Sequence, residues 1–248
     1  ITRADNEFGG KDAAGLLGKN FVLVGFKGSA TDAANTTYAF DHYNVNYVDG
    51  TANTTESNTA NWEYVNQNMK VNGAEGSLAQ NGALQQTIKY WDHSCASYDF
   101  IAFSMGKGYK AGETTTYAKP TAVNKDKLAE AAYTLTGDAN TLSECYISDM
   151  KTVVEKNYSK QAVAMSFRHL TSKVRIALYE IVPGYVISDV KFYGVATDGT
   201  STDQGTLFGK FNNNGTLTVY FPTTGTKNDQ NADYNKAHVK FASTEADA

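Results

Sequence analysis

The stretch Val163–Tyr179, VAMSFRHLTSKVRIALY, carries the clearest strand signal in the chain. Val163, Met165, Phe167 and His169 alternate with small or polar residues. Past Leu170-Thr171-Ser172, the residues Val174, Ile176 and Leu178 alternate with Lys173, Arg175 and Ala177. A period of two places one set of side chains in a core and the other toward solvent. The inward set is odd-numbered before the break and even-numbered after it. Such a one-residue shift requires a bulge, a bend or a tight turn near Leu170–Ser172. The stretch therefore reads either as one kinked strand passing between two sheets or as two strands with a very short joint.

Working outward, the same kind of signal recurs. Phe21–Phe26 (FVLVGF) is apolar at both parities, the mark of a strand covered on both faces. Tyr38–Tyr47 alternates, with Tyr38, Phe40 and His42 opposing Ala39, Asp41 and Tyr43. Trp62–Val65 opens a short strand. Tyr98–Ser104 (YDFIAFS) reads as a central strand, Phe100 and Ala102 on one face and Ile101 and Phe103 on the other. Val186–Val195, Leu207–Phe211 and Thr216–Phe221 follow the Pro183-Gly184 turn, and Asn212–Gly215 predicts an Asn-Gly hairpin joining the last two. Val239–Phe241 is a short strand fragment. Lys125–Ala132 (KDKLAEAA) is the best helix, too short to persist without packing, and Tyr146–Lys156 reads as strand or helical turn. About ten short strands separated by turn signals predict an all-β, antiparallel β-sandwich with long polar loops and at most one or two short helices. Residues 1–20 read as an extended lead-in, 21–241 as the sandwich, and 242–248 as a cut end or the start of a linker.

Composition agrees. The chain has 248 residues, 16 Tyr and 12 Phe against 3 Pro, a mixture suited to pleated, half-buried surfaces joined by polar turns. Its formal net charge of −4 leaves no basic excess to neutralise phosphates, which argues against nucleic acid as a partner. No run of apolar residues is long enough to span a membrane as a helix. Cys95 and Cys145 could form one disulfide, but a β domain of this size has no need of it, and two separate buried thiols are the simpler expectation.

No motif announces an active site. His93 and Cys95 flank Ser94 beside Asp92, yet no spacing brings a third and fourth metal ligand to them. His169 shares the parity of Met165 and Phe167 and reads as a core or edge histidine. Asp229–Asp233 spaces oxygen ligands as calcium loops do, but Tyr234 stands where such a loop needs Gly and Lys240 where it needs Glu. Asp198–Asp203 is weaker still. Nucleophile-elbow, phosphate-loop and dinucleotide signatures are absent, and no cofactor is expected. Asp41, Asp92 and Asp99 could pair as glycosidase carboxylates, though nothing in their spacing requires it. Trp62 and Trp91 fit either a sugar-stacking platform or ordinary core and rim positions.

The blocks SFRHLTSKVRIALYE and PGYVISDVKFYG, together with YWDHSCASYDFIAFS and DYNKAHVKF, resemble the fimbrillin family of Bacteroidales, subunits of type V pili and related surface lipoproteins. The resemblance implies a transthyretin-like sandwich, here the N-terminal one of two, in a non-enzymatic outer-membrane or fimbrial protein. It implies a lipid anchor upstream of Ile1. It further implies that an Arg-specific protease removes a first strand, so that the emptied groove accepts a strand from another subunit. On that pattern Ile1-Thr2-Arg3-Ala4 is the cleavage region, with Arg3 either the scissile residue or simply an exposed arginine. Phe21, Leu23, Val24 and Phe26 would then line the groove. Partners would be other pilus subunits and a host or bacterial surface ligand. The rival expectation, a glycan-binding surface lipoprotein of a polysaccharide-uptake system, requires coplanar exposed aromatics that include Trp62 or Trp91.

Overall fold

A computed structural model describes residues 10–28, 35–47, 61–67, 89–106, 118–158, 162–170, 183–184, 194–195, 201–202, 215–222 and 236–243. The strands are β1 (Asn20–Gly28), β2 (Asn35–Tyr47), β3 (Trp62–Gln67), β4 (Ser97–Ser104), β5 (Lys119–Pro120), β6 (Tyr133–Gly137), β7 (Tyr146–Ser148), β8 (Lys151–Val154), β9 (Phe167–His169), β10 (Gly194–Val195), β11 (Ser201–Thr202), β12 (Gly215–Tyr220) and β13 (His238–Ser243). The helices are α1 (Gly10–Leu16), α2 (Leu128–Ala131) and α3 (Ala139–Ser143).

The larger sheet runs β3-β2-β1-β4-β7-β9, with β8 also on β4, and the smaller runs β13-β12-β6-β5. All their pairings are antiparallel. They face each other across a core in which Val22, Val24, Phe26, Ile101, Phe103 and Ile147 of the larger sheet meet Tyr133, Leu135, Leu217 and Val219 of the smaller. The protein is thus an all-β, antiparallel sandwich. Burying one such side chain contributes roughly 1.5–3 kcal/mol, so this layer is the principal apolar source of stability.

The larger sheet is apolar on its other face too. Phe21, Leu23, Val45, Ala102 and Tyr146 pack there against Trp62, Met165 and Phe167, and Tyr98 and Phe100 pack against Cys95, Tyr158, Trp91 and Val163. This two-sided burial is why β1 and β4 lack a polar face, and every residue of β4 is buried. The smaller sheet behaves differently: β12 alternates buried and half-buried residues along its length.

The pairing of β1 with β2 is uneven. Twelve residues of β2, Asn35–Asn46, run against nine of β1, Asn20–Gly28, and three register shifts absorb the difference. Each extra residue bends the strand and increases its twist. Between Phe40 and Tyr43 the extra residue brings His42 into the left-handed region, at φ 56°, a conformation in which His is enriched among non-glycine residues. One register further, Gly25 lies between Phe40 and Phe100; a Cβ there would meet both rings at 3.0 Å.

Several expectations change. The stretch from Gly10 to Leu16 is α1, not extended chain; Ala14 and Leu17 are buried, and that apolar side suffices to fold it. Val163–Ser166 is not strand: its odd-numbered side chains are half-buried as the alternation requires, but they lie across the outer face of the larger sheet, and the ladder begins only at Phe167. His169 is exposed at that edge, its ring 4.1 Å from that of Tyr146. The remainder of the stretch to Tyr179 lies outside the described residues. β12 has β13 on one side and β6 on the other; Leu207–Phe211, its expected hairpin partner, lies outside the described residues. Strand β6 and helix α3 have no counterpart in the sequence expectations, and the helices among the described residues are few and short. The cut placed at 242 falls inside β13, which continues to Ser243.

Candidate functional site

Phe21–Phe26, expected to border a groove, belongs to a strand that is paired on both sides. Residues Asn20–Gly28 pair with β2 on one side, and Val22–Lys27 pair with β4 on the other. Phe21, Val24 and Phe26 are buried and Leu23 half-buried, all within closed clusters. A strand with two partners has no backbone donors or acceptors to offer a third. Arg3 and Ala4 lie outside the described residues.

Among the described residues β3 and β9 end the larger sheet and β13 and β5 the smaller, and of these edge strands β13 is the one with a large hydrophobic side chain exposed. It pairs with β12 from Gly215↔Ser243 to Tyr220↔His238, and among the described residues no strand pairs with its far side. Its odd positions face the core: Ala237 is buried and Val239 packs against the core cluster. Phe241 shares that parity and lies opposite Leu217, yet is 52% exposed. A Cβ on Gly215 would come within 2.3 Å of the Phe241 ring, so the glycine makes the seat on which that ring lies. On the other face Lys240 Nζ sits 4.6 Å from the centre of the Tyr220 ring. An edge strand with apolar side chains on one face is a template for another chain. The strand is legible in the sequence but its position at an edge is not, because edge position depends on partners distant in sequence.

Two backbone clasps tie the sheets together at their sides. On one, Tyr38 Oη donates to the Val123 carbonyl at 2.7 Å and the Val123 N–H donates to His42 Nε2 at 2.9 Å. Nε2 is therefore unprotonated, and Nδ1 carries the proton it shares with Asp41 Oδ1 at 2.6 Å. Burial pushes the imidazole below its ordinary value, only partly offset by the Asp41 carboxylate. On the other side, the Ala237 N–H donates to Asp149 Oδ1 at 2.9 Å and Arg168 donates to the Ala237 carbonyl. Arg168 also pairs with Asp149 at 3.3 Å.

The Asp92–Cys95 loop is a self-satisfied turn. The Asp92 carboxylate accepts from Lys27 at 2.7 Å, from the Ser94 N–H and hydroxyl at 3.0 and 2.6 Å, and from the Cys95 thiol at 3.4 Å. Lys27 foremost, then Ser94, holds Asp92 well below the usual carboxylate range. Burial raises the Cys95 thiol above its ordinary value and pushes that of Cys145 up to about 12, so neither is an activated nucleophile. Both are free, as two separate buried thiols. His93 Nδ1 lies 3.0 Å from Glu155 at the surface.

The tryptophans are half-buried. Trp62 packs on Phe21 and Tyr47, at 5.0 and 5.2 Å between ring centres. Trp91 stacks at 4.6 Å on the buried Tyr158 and meets Tyr98 edge-on. Tyr90 beside it is 83% exposed. Asp99 is fully buried and accepts from Thr152 at 2.6 Å, so it does not stand in a cleft with Asp41 or Asp92, which lie toward the surface. Comparison with known proteins returns no matching family model, no matching curated protein and no matching solved structure.

Proposed function

We propose that this chain is a non-enzymatic structural subunit of a bacterial surface fibre or adhesin, which associates with further subunits by addition of a β-strand. The fimbrillin-like blocks of sequence, the transthyretin-like sandwich they imply and the antiparallel architecture all fit this reading. The observation that carries it is β13: a six-residue strand with no described partner on its far side, holding Phe241 exposed at a core-facing position. In strand addition the incoming chain supplies main-chain hydrogen bonds and sets register with alternate side chains. This reading places the acceptor at β13 instead of β1.

The test uses the full-length precursor. It is treated with an Arg-specific protease, the new N-terminus is sequenced, and unboiled samples are run on a denaturing gel. The expected result is cleavage after Arg3 and a ladder of detergent-resistant oligomers, with the ladder lost in Phe241→Glu while the monomer stays folded. Intact chain and monomer throughout would refute assembly by strand addition. The glycan-binding alternative receives less support, since both tryptophans use their rings against neighbouring aromatics.

A further inference from the structure

We propose that His42 is an acid-operated clasp between the two sheets: neutral, it holds the Val123 peptide against β2, and protonated it releases that peptide and opens the seam. The inference is independent of strand addition and rests on the geometry around one buried peptide unit. Val123 is almost fully buried, so its N–H must have a protein partner or leave a costly orphan donor. That partner is His42 Nε2, at 2.9 Å. A proton on Nε2 would set two donors against each other, and the bond cannot survive it.

The described surroundings offset the charge only in part. On β2, Asp41 faces Nδ1, and it is the one described charge that acts on the ring. Tyr38 on the same strand is occupied by the Val123 carbonyl. From the segment packed against β2, Lys125 is paired with Asp126 at 2.5 Å, and Lys127 is the other charge. On β1, the residues opposite the bulge, Val24, Gly25 and Phe26, carry no charge. Asp41 already accepts from Nδ1–H, so protonation strengthens an existing contact without adding one for Nε2–H. The bulge makes the arrangement possible, because the left-handed backbone at His42 turns its ring inward from a strand whose neighbour Asp41 is exposed.

The direction follows from linkage. The clasped imidazole is held below its ordinary value of about 6.5, so the open form binds more protons in the interval between the two values. The clasp is at full strength above about pH 6.5 and weakens as pH falls toward the clasped value, below which the loss levels off.

The experiment is amide hydrogen exchange by NMR from pH 8 to 4.5, corrected for intrinsic exchange, on the whole chain. Val123 should keep a constant protection factor down to about pH 6.5 and then lose up to about tenfold per pH unit. Ala237, clasped by Asp149 and Arg168 with no histidine, is the internal reference and should keep its protection over that interval. His42→Gln, which offers an acceptor that does not titrate, should keep Val123 protected with no acid loss. If that variant does not fold, the wild-type imidazole nitrogen shifts decide: a neutral Nδ1–H ring at pH 7.5 that protonates in step with the loss at Val123 supports the clasp. The proposal is overturned if Val123 and Ala237 respond alike. It is equally overturned if His42→Gln loses protection as the wild type does, or if His42 is already protonated at pH 7.5.

Discussion

Tyr133 and Tyr158 pose the same substitution in two opposite settings. Tyr133 is 1% exposed in the middle of the sandwich, its ring 5.0 Å from that of Phe103, and its hydroxyl has no hydrogen-bond partner among the described residues. Burial pushes that phenol far above its ordinary value. Tyr158 is also buried, but its hydroxyl donates to the Cys95 carbonyl at 2.9 Å. An unpaired buried hydroxyl costs about 1–3 kcal/mol against its hydrated state. Tyr133→Phe keeps the ring contact and removes only the oxygen, leaving a space smaller than a methyl group. It should stabilise the protein by about 1 kcal/mol and raise Tm by roughly 2–4 °C. Tyr158→Phe removes a satisfied donor and orphans a buried carbonyl, and should destabilise by about 1–3 kcal/mol. Urea unfolding of both variants, with unchanged m-values, measures the pair. A loss of about 1 kcal/mol or more in Tyr133→Phe, or shifts of the same sign in both, would refute the claim that the Tyr133 hydroxyl is unpaired in solution.

Gly106 sits at φ 83°, where a Cβ would come within 1.8 Å of the Glu144 carbonyl oxygen. Gly106→Ala should therefore cost well over the roughly 1–2 kcal/mol of left-handed strain alone, read as a drop in the denaturation midpoint, whereas a loss under about 1 kcal/mol would mean the turn relaxes freely. Asp92 is held below its ordinary value by Lys27 and Ser94. Its contribution is present above about pH 4 and is lost as pH falls below that, because the unfolded chain then binds the proton first. A Tm profile from pH 7 to 2.5 should accordingly fall less steeply below about pH 4 in Asp92→Asn than in the wild type, and parallel profiles would show that the Lys27 contact carries no linkage.

What could be read in the sequence was whatever depends on the nearest few residues. FVLVGF and YDFIAFS have apolar side chains at both parities because the larger sheet is covered on both faces, and the two strands stand next to each other at its centre. KDKLAEAA becomes a 3-10 turn followed by α2, held by Leu128 in the core and by an Asn124 side chain that caps Asp126 N–H at 2.9 Å. Strand β6, YTLTG, passed unnoticed because five residues with two threonines give little amplitude at either period; its place is set by β12, some eighty residues further on.

The candidate site was legible only to the level of its elements. Apolar alternation says that a strand has a buried face, and it is silent on how many of its sides are paired. For β1 and β13 the decisive fact is the number of neighbours, two for one and, among the described residues, one for the other. Exposure at Phe241 follows from that difference, although its local pattern matches that of a core position. His42 carries the same lesson in a single residue. Strict alternation puts it with Tyr38 and Phe40, but the register shifts of β2 separate those two aromatics onto opposite faces of the sheet and turn the histidine inward to a peptide 81 positions away. A bulge has no residue signature strong enough to announce it, yet it converts a polar residue in a strand into a titrating contact between sheets. A function that operates through edges and seams, as opposed to a constellation of reactive groups, is therefore written in pairing and register, and those are properties of the folded chain.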